Sequence, residues 1–190
     1  MSSSISSLIE GLCSENEDSR ESAARELFRL GRAPADLAAQ TWWADAELSS
    51  LFDPIPQVTV GVAVLPERFA QIRAANGSPR LADVPPDQDA REFELHFPDS
   101  IHLDILTTSQ PGGAGAIAKF LGRFGEGVQQ VEFRCKNVDR ATQILKEKFG
   151  VSAIYPATRD GADGTRVNFF LVASPGNGKV LIELYEPVTN

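Results

Sequence analysis

Cysteine occurs twice in 190 residues, at Cys13 and Cys135. Two distant thiols make neither a disulfide framework nor a zinc knuckle, so a reduced, cytoplasmic setting is the default expectation. Histidine is equally scarce: His96 and His102 are the whole supply, and no Ser-His-Asp arrangement can be argued from them. Basic residues number 18 against 26 acidic ones, giving a formal net charge of −8. That argues against wrapping nucleic acid, where cations must neutralise phosphates. It leaves room for a small anion held by a local Arg. No apolar run approaches the ~20 residues of a membrane span, and the N-terminus lacks the basic start and apolar core of a secretory signal. The Gly-rich stretches 111–115 and 160–164 follow no phosphate-loop or dinucleotide signature and read as turns.

What is present is an ordinary globular balance, 42% hydrophobic and 23% charged, on a chain long enough for a proper core. Residues 1–54 read as a helical extension. A helix is expected over "EDSRESAARELFRLGR", stopped by Gly31, and a second over residues 34–52, opened by Pro34 at its first position. Their apolar stripes, Ala23, Leu27 and Leu30 in the first and Leu37, Trp42 or Trp43, Leu48 and Leu51 in the second, imply packing on the main domain or on a second subunit. "DPIP", residues 53–56, marks the boundary.

Residues 55–190 then read as one domain built twice. Strand 57–65, helix 66–77, strand 91–97 and strand 101–107 form a first copy, at about 57–110. Strand 128–135, helix 137–150, a short strand at "VSAIYPA", strand 165–173, a turn at 175–178 and strand 179–186 form a second, at about 125–187. The fold class is α+β, with duplicated βαβββ units. The repeat sets Thr59 against Gln130 and Asp104 against Glu183.

The second copy opens on "GEGVQQVEFRC", where Val131, Phe133 and Cys135 alternate with Gln130, Glu132 and Arg134. The first set reads as core, with Cys135 inert. The second reads as a cavity-lining face, on which the buried Glu132 carboxylate needs a partner; Arg134, Arg91 and Arg166 are the candidates. His102 shares a face with Asp104. His96 is expected on a solvated outer face with Glu92 and Glu94.

"IAKFLGRFGEGVQQVEF", "TRDGADGTRVNFF" and "KVLIELYEP" together resemble the vicinal oxygen chelate superfamily, the glyoxalase, bleomycin-resistance and dioxygenase group, and within it the methylmalonyl-CoA epimerases. The resemblance implies a glyoxalase-like curved sheet around a cavity, with the first and last strands of each copy supplying the site. In metal-dependent members the first strand of each copy usually contributes a His; here Thr59 and Gln130 stand there. Glu183 remains as the expected ligand, with Asp104 its counterpart. An oxygen-only set holds transition metals poorly, so no cofactor is expected. The alternative is a divalent cation on Glu183, Asp104, Gln130 and His102. The expected function is a metal-poor binding protein for a small acidic or acyl ligand, contacted by Thr59, Gln130, Glu132, Arg134 and His102. The alternative is an epimerase-like isomerase of an acyl-thioester, with Glu183 and Asp104 moving protons. A homodimer through the N-terminal helices is the partner expectation, with no nucleic acid and no membrane.

Overall fold

The computed structural model describes residues 4–174 and 178–188; the tip of the expected 175–178 turn lies outside them. The chain divides into two compact units, residues 1–31 with 59–129 and residues 32–58 with 130–190. Each unit contains one copy of the repeat.

In the first unit, strand β1 (Val58–Ala63) runs parallel to β3 (Ile101–Thr107), and β2 (Arg91–Phe97) lies antiparallel on the other side of β3. Helix α4 (Pro66–Ala75) crosses between β1 and β2, opened by Pro66 and followed by Gly77 at φ 76°. Its Phe69 meets Phe93 edge-on at 4.7 Å, over a core of Val60, Val62, Leu95, Leu103 and Ile105. On the opposite sheet face, helix α5 (Ala116–Phe124) sets Ile117 and Leu121 on Ala63 and Leu106. The edge strand expected for a complete copy survives as a single bond, Ala82 N–H to the Glu92 carbonyl at 3.0 Å.

The second unit repeats the plan. Strand β4 (Gly127–Arg134) runs parallel to β7 (Gly178–Glu186), β6 (Arg166–Ser174) is antiparallel to β7, and β5 (Arg159–Asp160) pairs with the start of β6. Helix α6 (Val138–Phe149) is capped by the Asn137 side chain and ends at Gly150, in the left-handed region, as the sequence predicts. Its Ala141, Ile144 and Leu145 lie in the same buried core as Phe133, Phe170, Ile182 and Leu184.

Three expectations need correction. "VSAIYPA" is not a strand: Ala153 makes one isolated bridge to Phe170, and the pairing moves on to β5. The helix expected to stop at Gly31 runs on as α2 (Glu17–Ala38), with Pro34 inside it. The helix expected over 34–52 is instead the end of α2, a turn, and α3 (Ala46–Ser49), capped by Asp45. Gly31 serves packing rather than termination, since a Cβ there would sit 2.5 Å from Val60 Cγ1 and 3.1 Å from Val128 Cγ1. A Gly-to-Ala change inside a helix ordinarily gains ~1 kcal/mol, whereas overpacking costs ~1–3 kcal/mol. Val60 is a short, buried side chain that cannot swing aside. Gly31→Ala is therefore expected to lower stability by roughly 1 kcal/mol net. A rise in the urea midpoint would show that β1 yields instead.

No helix among the described residues is long and apolar enough to cross a membrane.

Candidate functional site

In the second unit, register decides the site. Glu132 on β4 lies directly opposite Glu183 on β7, and Glu183 lies opposite Phe169 on β6. Paired residues share a sheet face, so one row crosses three strands: Glu132, Glu183, Phe169. Like charges directly opposite one another repel. The Gln130 side chain, on the same face, answers this. Its Nε2 donates to Glu183 Oε2 at 2.7 Å and to Glu132 Oε1 at 3.1 Å. Gln130 and Glu132 are buried and Glu183 is half-buried.

Arg134 does not join them. The expected Glu132–Arg134 ion pair is replaced by an exposed Arg134 at the end of β4, whose Nη1 donates to Gln57 Oε1 at 3.2 Å. The physical reason is spacing: positions i and i+2 on a strand stand roughly 6.6–6.8 Å apart, and Arg134 sits where the strand meets solvent. Arg166, another candidate, pairs with Asp139 at 2.6 Å. Arg134 also lines a pocket of about 200 Å³ with Lys136, Asp53 and Glu186. Cys135 is buried, and burial pushes its thiol up to about 12, so it is no nucleophile at neutral pH.

The first unit carries the matching face. Asp104 on β3 lies opposite Gly61 on β1 and opposite Glu94 on β2. Thr59, two residues before Gly61, is buried on the same face. His102 registers against His96, and the two rings stack at 4.5 Å. His96 therefore shares the face of His102 and Asp104, not an opposite one; it is solvated because β2 is the edge strand. Its Nε2 lies against Glu94 Oε2. His102 Nδ1 is buried with no hydrogen-bond partner among the described residues.

Burial, then the neighbouring His96, lowers the His102 pKa from 6.5, against a smaller opposing pull from Glu94. The native state thus takes up this proton at lower pH than the unfolded chain. His102 contributes stability above pH 6.5 that is lost as pH falls through its folded pKa. Native-state stability is expected to drop on acidification below about pH 6.5, and His102→Gln is expected to flatten that drop. An NMR titration placing His102 above 6.5 would contradict this.

The two faces are equivalent by register. Gly61 stands directly across from Asp104 and Glu132 directly across from Glu183, each in a parallel strand pair, and the repeat relates the first members by 71 residues and the second by 79. Against that geometry, no family model matches the chain and no curated protein matches it significantly. Solved structures do. Methylmalonyl-CoA epimerase from Mycobacterium tuberculosis is 31% identical, with a TM-score of 0.55, over 69% of this chain and 87% of that one. The chain belongs to the vicinal oxygen chelate superfamily, on its methylmalonyl-CoA epimerase-like branch. A Streptomyces coelicolor methylmalonyl-CoA epimerase in complex with 2-nitronate-propionyl-CoA is 25% identical, TM-score 0.53, over 69% of this chain and 96% of that one. A methylmalonyl-CoA epimerase in complex with methylmalonyl-CoA and ammonium is 27% identical, TM-score 0.53, over 69% and 93%. The α+β, duplicated, glyoxalase-like fold with N-terminal helices is therefore the fold of this chain.

Among the described residues no group of three or more His, Cys, Asp or Glu is placed to hold an ion. Gln130 turns its donor end, not its oxygen, to Glu183. An N–H pointing at the carboxylate fills the position from which a cation would bind it.

Sequence reasoning missed Phe169, Leu171 and Leu181. All three lie on the face of Glu183, with Leu171 opposite Leu181. The alternation in "TRVNFFLVA" carries that signal, once its register with "KVLIELYE" is known.

Proposed function

We propose that the chain binds a small acyl-thioester on the Glu132–Glu183 face without a metal ion. The observation that supports this is the Gln130 amide bonded to both carboxylates. It neutralises their repulsion by hydrogen bonding where a metal-dependent relative would use a cation. The acyl-CoA ligands named for the related epimerases supply the ligand class. An enolate formed there would lack a metal's charge, so the reading is a binding protein first.

A second reading rests on a separate observation. Asp104 and Glu183 hold equivalent register positions in the two repeats. In this reading each carboxylate is a proton-transfer group, able to remove a proton α to a thioester carbonyl and to return one.

The test is calorimetric titration of the full chain with propionyl-CoA, in chelator and then with added Co²⁺ or Mg²⁺, alongside elemental analysis. The expected result is binding that chelator does not weaken, with no stoichiometric transition metal. Binding that appears only on adding metal would overturn it. Deuterium entering the α-carbon in heavy water, abolished by Glu183→Gln, would favour the second reading.

A further inference from the structure

The face that carries Glu183 is graded in chemistry along β7. One row toward the chain end, Arg134 lies opposite Tyr185, beside the pocket shared with Lys136. Asp53, 3.6 Å from Lys136, offsets that cation within the pocket, whereas Glu186 is engaged outside it, accepting from the Val138 N–H and lying 3.7 Å from Arg166, so Arg134 is the cation left to face a ligand. One row the other way, Leu181 lies opposite Leu171, which is 50% exposed. Phe169, in the middle row, meets Tyr155 edge-on at 5.9 Å, and the Arg159 guanidinium sits over Tyr155 at 4.5 Å. Those contacts hold the Phe169 ring beside Glu183, at the end of the carboxylate row and next to the leucine row.

Building on the acyl-thioester reading above, we infer that Phe169, Leu171 and Leu181 receive an apolar acyl chain, while Arg134 faces the phosphorylated carrier. The ligand class is an uncharged acyl group of several carbons, not a short carboxylated one. The geometry sets the length. Two residues of strand separate the rows by roughly 6.6–6.8 Å, so a carbonyl beside Glu183 needs several methylenes before its chain covers Leu171. Leucine on an exposed strand face lowers free energy only by losing water contact, and a chain laid along this row removes it. Charge complementarity fixes the direction, because the cationic end of the face lies on the other side of Glu183.

The test measures affinities of the full chain for acetyl-, propionyl-, butyryl- and hexanoyl-CoA and for methylmalonyl-CoA. Leu171→Ser, a surface change that should leave the melting temperature intact, and Arg134→Gln are compared with it. Affinity is expected to rise roughly two- to fourfold per added methylene beyond propionyl. Leu171→Ser should flatten that slope, and Arg134→Gln should weaken every ligand by the same factor and reduce the salt dependence. Methylmalonyl-CoA binding more tightly than hexanoyl-CoA would overturn the inference while leaving the acyl-thioester reading standing. So would a Leu171→Ser protein that keeps the slope but changes from dimer to monomer, since the leucines would then be a contact between copies. Failure of every acyl-CoA to bind would remove both.

Discussion

Gln130→Leu is expected to destabilise the protein by about 2–3 kcal/mol, although leucine fills a similar volume. The loss is electrostatic. The amide donates to two carboxylates that face each other across a parallel strand pair, and taking a hydrogen-bond donor away from carboxylates in a buried row costs ~1–3 kcal/mol, more when they are charged. A second change separates this from simple packing. Adding Glu132→Leu to Gln130→Leu removes one carboxylate of the pair and is expected to restore half or more of the loss, because replacing a buried polar set by apolar groups is far cheaper than breaking it. Arg134→Met, by contrast, should stay within about 0.5 kcal/mol, since Arg134 is exposed and bonded to Gln57. Urea unfolding of the single and double variants reads all of these. Additive losses with no rescue would mean that Gln130 does not bridge the two carboxylates.

A larger loss, about 3–5 kcal/mol, is expected for Phe133→Ala. Phe133 is fully buried on the core face of β4. Trp43 lies edge-on to it at 5.4 Å and edge-on to Phe52 at 4.9 Å, so the ring joins the helical segment of this unit to its sheet. Three further contacts hold the same segment: Lys148 to Asp45 at 2.8 Å, Lys148 to Glu47 at 3.0 Å, and Arg140 to Glu47. Those are exposed ion pairs of small value, and they do not compensate for a cavity beneath Trp43. For a chain of this size the melting temperature should fall by roughly 10 °C, with altered tryptophan emission as Trp43 loses its neighbour. A fall of only a degree or two would show that the indole collapses into the space.

The sequence carries the repeat because alternation and caps are local signals. Phe93 and Leu95 alternate with Glu92, Glu94 and His96 whatever lies beside them, and Asn137 and Gly150 bound α6 by their own chemistry. Signals that depend on a neighbour were misleading. Gly31 looks like a helix stop, yet the space it leaves is taken by Val60 and Val128. His96 looks solvated and apart, yet its register sets it against His102. Glu132 and Arg134 look like a pair because they share a strand face, but it is Gln130 that bonds Glu132 while also reaching Glu183 on β7, and nothing within β4 specifies that register. The candidate site is legible as a set of residue types and illegible as a set of distances, because its contacts lie across strands.

The parallel pairing of β4 with β7 also bears on when the site comes into being. Glu132 and Glu183 are 51 residues apart in the chain and neighbours in the sheet. Closing a loop of that length carries an entropic cost that must be met before its contacts give anything back, and non-local parallel pairings are slow to form. Helix α6 and the β6–β7 hairpin can take shape from nearby residues; the ladder that brings the two carboxylates together cannot. During synthesis, Gln130 and Glu132 must wait for a strand made some 51 residues later, so a nascent chain lacking β7 has every residue of β4 and none of the Glu132–Glu183 row.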